Sequence, residues 1–414
     1  MFEPQPEATG LPTAPPAPAA NMNGCHVVIV GAGIGGLTAA LSLQRHGIKV
    51  SVHEQAAALG EIGAGLVLTP NAMHALNHLG VGENIAKGSN VSAELEVRHY
   101  QSGDILLRRP SGEACRAKYG AGHFQVHRAD LHGALSDAVL ANDPGCIHLG
   151  RAFIGLAQTE DGVTVRFSDG AVVDGDALIG CDGGRSMVRD RTFGSAPAPY
   201  AGQVSFRALV PAARLPPELS ADRRCFYIGP GRVFVHFSLR KNSVVNIVAN
   251  ARQGHWEDEG WAIPAEVREL RELYADFHPN VLQLIEAIEP GALFKWGLRV
   301  REPLTQWTLG RVSMLGDAAH PMLPFLGQGA VMAIEDGMVL GRCFAAASSA
   351  QEALRLYEGM RKDRANAVHV HSRERARAMQ GWDSGRADPG RDAEDIGMFA
   401  YDPTTVPINR DLRG

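Results

Sequence analysis

His26-Val27-Val28-Ile29-Val30-Gly31-Ala32-Gly33-Ile34-Gly35-Gly36, with Lys49-Val50-Ser51-Val52-His53-Glu54 after it, reads as strand, glycine loop, helix and second strand. The run His26–Val30 is short, almost wholly apolar and β-branched, which marks a buried strand rather than a helix. An Ala- and Leu-rich helix follows to about His46, Gly47 stops it, and Lys49 to His53 form the next strand. Gly31 permits the tight turn, Gly33 lets a pyrophosphate approach the backbone, and Gly36 lets helix and strand pack closely. The helix N-terminus then faces the phosphates with free N–H groups. Glu54 lies 18 residues beyond Gly36, where a carboxylate accepts hydrogen bonds from an adenosine ribose. A lone GxGxxG is weak, but strand, helix, second strand and terminal acid all occur here in order. The expectation is a dinucleotide-binding βαβ unit.

A chain of 414 residues suggests two domains, or one large domain with an insertion. Charged residues at 21% and hydrophobic ones at 45% are ordinary for a globular protein. A net charge of −5 offers no general attraction to nucleic acid or anionic membrane, so neither is expected as a partner. The six cysteines are scattered with no CxxC pair, which suggests neither a zinc site nor a disulfide framework. That pattern favours a reducing, cytoplasmic setting. Residues 1–24 are rich in Pro and Ala and lack the basic start and apolar core of a signal peptide, so a disordered leader is expected. No stretch is long and apolar enough to span a bilayer.

Further along, Thr69 caps a helix that Pro70 opens and Gly80 ends. His74 and His78 share one face of it, but no third ligand accompanies them, so no metal is expected. Residues 94–99 and 104–109 read as a hairpin, 123–127 as a strand and Arg128 to Leu140 as a helix. Residues 203–210, 225–229, 232–239 and 243–250 give four strands with turns between, an antiparallel block unlike the parallel start. Ser349-Ala350-Gln351-Glu352 is a capping box that opens a long helix to about Met379. Its bases, Arg361 and Arg364 among them, alternate with acids and suggest a solvated, salt-bridged face.

Only one dinucleotide fingerprint is present, so the first loop holds either nicotinamide or FAD. Gly316-Asp317-Ala318-Ala319-His320-Pro321 puts an acid in a small-residue loop just after the buried strand Arg311 to Leu315. An acid there can bond a polyol such as ribitol. Gly327-Gln328-Gly329 then opens a helix whose start can stabilise negative charge on a reduced flavin. Three motifs, the first glycine loop with Glu54, Asp182-Gly183-Gly184-Arg185-Ser186-Met187-Val188-Arg189, and Gly316-Asp317-Ala318-Ala319-His320-Pro321 with Pro324, occur together in an order that resembles the class A flavoprotein aromatic hydroxylases. Within that family the chain is similar to salicylate hydroxylase, 3-hydroxybenzoate 6-hydroxylase and 6-hydroxynicotinate 3-monooxygenase. The likeness covers nearly everything from residue 24 to 380 and extends to the tail around Tyr401-Asp402.

The resemblance implies an α/β fold: a Rossmann-like FAD-binding domain of GR2 type, an inserted antiparallel-sheet substrate domain and a C-terminal helix. It implies residues 25–95, 120–200 and 296–345 for the first, 96–119 and 201–295 for the second, and 346–414 for the helix and tail. Gly31, Gly33, Gly36 and Glu54 would hold the adenosine half of FAD, and Arg128 the pyrophosphate. Asp182 would lie near both FAD and a transient NADH or NADPH, and Asp317 would bond the ribitol. Pro324, Gly327 and Gly329 would border the isoalloxazine and substrate. The activity implied is hydroxylation of a small aromatic acid or hydroxypyridine with NAD(P)H and O2 through a flavin C4a-hydroperoxide, in a site that excludes water. The same flavin chemistry on a lipophilic phenol or alkene is the alternative, and a homodimer is left open. An NAD-dependent dehydrogenase would leave the Asp317 loop unexplained, and a flavin-carrying sensor would show no ligand-stimulated NAD(P)H oxidation.

The pocket strand Arg232-Val233-Phe234-Val235-His236-Phe237 aligns with a segment that carries His and Tyr in several relatives at the positions of Val233 and Phe237. Strand alternation puts Val233, Val235 and Phe237 on one face and Phe234 and His236 on the other. Val67 likewise stands where a relative has histidine. His236 is the tempting replacement base, though parity favours a structural role. Arg299, in Gly297-Leu298-Arg299-Val300-Arg301, is the candidate grip on a substrate carboxylate, because a guanidinium binds one bidentately.

Overall fold

The computed structural model describes Met22, Ala196, Gly260 and residues 24–60, 64–194, 198–221, 223–257, 262–380 and 392–409. The expected leader, residues 1–24, falls almost wholly outside the described residues. Three distant stretches of chain build a six-stranded sheet in the order Thr308–Leu309, Val312–Met314, Ala177–Gly180, His26–Val30, Lys49–His53 and Ile147–His148. His26–Val30 lies at its centre and pairs in parallel with Lys49–His53 and with Ala177–Gly180. Its residues Val27, Val28 and Ile29 are fully buried, as a strand covered on both faces requires. The helix Ile34–Arg45 packs against the helix Gly329–Ala346 so closely that a β-carbon on Gly337 would stand 2.7 Å from the Ala39 nitrogen. Each fully buried Leu or Ile in this layer contributes about 1.5–3 kcal/mol.

The second sheet has eight strands, ordered Ile263–Pro264, Phe294–Arg299, Tyr200–Pro211, Val244–Arg252, Arg232–Leu239, Arg224–Gly229, Glu94–His99 and Ile105–Pro110. All its pairings are antiparallel except that of Arg224–Gly229 with Glu94–His99. Alternation gives it two faces, each with its own apolar cluster. Phe206, Phe234, Ile247 and Ala249 pack with Leu270, Val281 and Leu284 of the helices Val267–Leu273 and Pro279–Glu286. Val233, Val235, Phe237, Val248 and Leu298 pack with Leu323 and Phe325 of a strap that leads into the helix Gly329–Ala346. This second face and the strap meet along an apolar seam, the candidate cleft.

The long helix Ala350–Gln380 runs as its capping box suggested, with Ser349 Oγ accepting from the Glu352 N–H at 3.2 Å. One expectation for it fails. Arg361 has no exposed surface and lies against Glu335 and Asp336, also fully buried, so this part of the basic run is interior rather than a solvated face. Alternating charge marks an exposed face only when the partners sit on the same helix, and here they sit on the neighbouring one. No helix among the described residues is long and apolar enough to cross a membrane.

Candidate active site

The glycine loop is built by steric necessity. Gly31 has φ +105°, and a β-carbon there would stand 2.4 Å from the Cys181 carbonyl oxygen. At Gly36 a β-carbon would stand 2.0 Å from the Gly31 carbonyl oxygen. Both approaches are closer than van der Waals contact allows, so only glycine fits. Gly33 differs: it caps the helix Ile34–Arg45 in extended backbone, and a β-carbon there would meet nothing within 4 Å. That open space over a helix N-terminus is where an anion is held. Glu54 fastens the loop, its two oxygens accepting from the Ala32 and Ala56 N–H groups at 2.9 Å each. His132 Nε2 bonds the Ala32 carbonyl from the other side at 2.7 Å.

Asp182 closes the strand Ala177–Gly180 next door. It accepts from Ser186 Oγ at 2.5 Å and from the Val188 N–H at 3.0 Å, while Ser186 caps the helix Met187–Phe193. Burial raises its carboxyl, against the pull of these bonds. A β-carbon on Gly184 would stand 3.9 Å from Pro321, so this turn and the Gly316–Pro321 loop lie side by side.

Asp317 is exposed to solvent, and the desolvating surroundings of its loop raise its carboxyl, opposed by the charges of His320 and Arg128. Among the described residues its carboxylate has no hydrogen bond or ion pair. A β-carbon on Gly329 would stand 3.8 Å from Asp317 Oδ1, so the acid borders the first turn of the 18-residue helix Gly329–Ala346. Gly327, with φ +65°, turns the chain into that helix. The strap before it is pinned by Ser372 Oγ, which donates to the Leu323 carbonyl at 2.5 Å, and Pro324 opens its short 3-10 turn.

FAD fits this arrangement on observations independent of motif. There is an open helix N-terminus at Gly33 for a pyrophosphate, an unpartnered carboxylate at Asp317 for a polyol, and an apolar wall beyond for a ring system.

The substrate wall leaves two candidate site residues, His236 and Arg299, outside the cleft. Val233, Val235 and Phe237 do share the cleft face, as parity required, and Val67 packs against them. His236 faces the other way. It is 4% exposed, its ring lies 6.1 Å from that of Tyr227, and burial lowers it to about 4. Arg299 is not brought into the cleft either. Trp296 and Leu298 on its strand face the cleft, so Arg299 points away and donates to the Ala198 carbonyl at 3.2 Å.

The cation on the cleft face is Arg207, which sequence reasoning missed. It pairs with Val248 across the sheet, and Val248 pairs with Val235. Its guanidinium carbon lies 5.5 Å from the Trp296 ring centroid, and its Nε reaches Ser205 Oγ at 3.4 Å. Among the described residues no carboxylate pairs with it. Burial, with a smaller push from Arg128, lowers it to about 10, so it stays charged at neutral pH. The available signal was an arginine on the polar parity of an otherwise apolar strand, Tyr200–Pro211.

Residues 24–372 match the family described as FAD binding domain. The chain is 35% identical over 350 residues to 3-amino-4-hydroxybenzoate 2-monooxygenase of Streptomyces platensis, covering 84% of this chain and 87% of the relative. It is 32% identical over 390 residues to 6-hydroxynicotinate 3-monooxygenase of Pseudomonas fluorescens, covering 92% and 96%. Klebsiella pneumoniae HpxO complexed with FAD and uric acid superposes with a TM-score of 0.78 at 28% identity, covering 87% of this chain and 90% of that one.

Proposed function

The chain belongs to the FAD binding domain family and is an FAD-dependent monooxygenase; we propose that it hydroxylates a small aromatic acid or hydroxypyridine, gripped by Arg207, with O2 and electrons from NADH or NADPH. The observation that carries the substrate class is the charged Arg207 on a cleft face whose other side chains are apolar or uncharged, such as Val233, Val235, Phe237, Ser205, Asn246 and Asn250, with no carboxylate among the described residues to pair with it. A half-buried guanidinium with no paired acid among the described residues favours an anionic ligand, and its planar fork suits a carboxylate. The relatives named for hydroxybenzoate and hydroxynicotinate substrates support the same class.

In this reading residues 25–95, 120–200 and 296–345 carry the cofactor, and 96–119 with 201–295 carry the substrate wall. Gly31 and Gly36 keep the loop close, Gly33 admits the pyrophosphate with Arg128 beside it, and Glu54 orders the loop for the ribose. Asp317 accepts from the ribitol, Asp182 fixes the turn at the mouth, and Gly327 and Gly329 aim a helix start at the ring. When bound, FAD supplies electron transfer and the activation of O2. Arg207 holds the substrate carboxylate and so fixes which ring carbon faces the reactive side. Val67, Val233, Val235, Phe237 and the Pro324 strap exclude water around it. None of these wall residues can take a proton, so the ring is activated by its own hydroxyl or amino group.

The test is a panel of aromatic acids and their amides, followed by NAD(P)H oxidation, H2O2 and hydroxylated product. Acids should stimulate coupled turnover, and Arg207→Ala should raise KM for them roughly 10- to 100-fold, the worth of a charged hydrogen bond. Amides should be poor substrates for both proteins. Equal turnover of amides and acids, indifferent to Arg207, would favour instead a lipophilic phenol or alkene, which the apolar wall alone could accept.

A further inference from the structure

Behind the Asp317 loop lies a buried ion cluster that the reaction does not use. Asp336 accepts from the Gly316 N–H at 3.1 Å and from His320 Nε2 at 2.6 Å, so one carboxylate holds both ends of the loop that carries Asp317. Its other oxygen takes Arg361 Nε at 2.8 Å. Glu335 beside it takes Asn71 Nδ2 at 2.6 Å, Arg361 at 2.7 Å and Arg364 at 2.8 Å. Glu335, Asp336 and Arg361 have no exposed surface. Such a cluster holds its geometry only while every charge keeps its partners.

The outer partner comes from the C-terminal tail. Tyr401 lays its ring 3.7 Å from the Arg364 guanidinium carbon, and its hydroxyl accepts from Arg361 at 3.1 Å. The tail is fastened on either side. Asp395 and Glu394 pair with Arg109 and Lys118, and the Pro403 carbonyl accepts from Arg342 at 2.8 Å. We propose that Tyr401 is a positioning residue for the cofactor loop: through Arg361 and Arg364 it sets Glu335 and Asp336, and through Asp336 it sets where Asp317 stands. The proposal rests on the reading that Asp317 holds FAD.

A double-mutant cycle on FAD affinity tests it, using Tyr401→Ala and Asp317→Ala alone and together, with apoprotein titrated by flavin fluorescence. Tyr401→Ala should weaken FAD about tenfold, as loss of a hydrogen bond to a charged group does. It should also alter the shape of the flavin visible band. The same change made in the Asp317→Ala protein should weaken FAD much less. Tyr401→Phe, which keeps the ring over Arg364 and loses only the hydroxyl, should fall between Tyr401→Ala and the parent, and it serves if Tyr401→Ala does not fold. Unchanged affinity and spectrum in folded Tyr401 variants, or losses that simply add, overturn the proposal and leave the role of Asp317 intact. Unchanged affinity in Asp317→Ala alone overturns the FAD reading and the proposal with it.

Discussion

The glycine-loop end of the cleft and its substrate wall are made on opposite principles. At the loop, backbone meets backbone: Gly36 would collide with the Gly31 carbonyl if it carried even a methyl, and Glu54 and His132 spend their polar atoms on the loop itself. At the wall, two sheet faces differ only in strand parity, and side chains decide everything. His236 and Arg207 are both basic residues in strand interiors, yet one is sealed away and lowered to about 4, while the other faces the cleft and keeps its charge. At the first end Gly31 and Gly36 leave no room for a side chain, and it is there that the proposed reading seats the cofactor. The second keeps its backbone under substitution, so substrate choice can vary there without disturbing the fold.

The largest effect expected is at the loop. In Gly36→Ala the new methyl would stand 2.0 Å from a backbone oxygen, which nothing flexible can relieve. The protein should lose FAD on purification and roughly 3 kcal/mol or more of stability, read from urea unfolding of the apoprotein. Retained FAD with unchanged unfolding would mean the loop is softer than its packing indicates. Next in size is Asp317→Ala, where FAD affinity should fall about tenfold with little change in apoprotein stability, because among the described residues the carboxylate bonds no protein group. An equal fall in apoprotein stability would make Asp317 a structural acid and blur the contrast between the two ends.

These two ends were not equally legible in the sequence. The loop was, because its constraints are local: the glycines, the strand before and the acid after are set by short-range geometry. The alternating strands gave the apolar cleft face of Val233, Val235 and Phe237 for the same reason. Arg207 was not legible because its meaning depends on which face of Tyr200–Pro211 meets the strap, and that is fixed by pairing with Val244–Arg252 and Phe294–Arg299, far along the chain. Arg361 misled for a related reason. Its partners, two adjacent acids in the apolar helix Gly329–Ala346, belong to another element, though acids in such a helix were themselves a signal of burial against a base.

A smaller effect is expected on the far face of the wall. Burial lowers His236 from 6.5 to about 4, so the unfolded chain binds the extra proton between those values. Its contribution is fully present above pH 6.5 and is lost as pH falls towards 4, about 3 kcal/mol in all. His236→Leu should therefore flatten the fall of stability with acid in that window, measured by urea midpoints from pH 7 to 4. At neutral pH it should leave kcat/KM within about twofold, as expected of a change outside the site. Loss of turnover with FAD still bound would put the histidine in the cleft after all.

The smallest effect should come from Arg299→Ala, and it is the sharpest test of which face is which. Arg299 pairs across the sheet with Tyr200, beyond an irregularity that falls between Tyr200 and Val204. The partner strand therefore shifts register where Arg299 sits, but the parity of Arg299's own strand does not change: Trp296 and Leu298 stay on the cleft side and Lys295 on the helix side, bonded to Glu269 at 2.7 Å. Removing the guanidinium loses one hydrogen bond to the Ala198 carbonyl, worth about 1 kcal/mol of stability. KM for an aromatic acid should stay within about twofold, set against the much larger rise at Arg207. Should the two substitutions raise KM alike, the strand must twist at its end enough to bring Arg299 round to the carboxylate. The substrate would then be held by two arginines from neighbouring strands rather than by one.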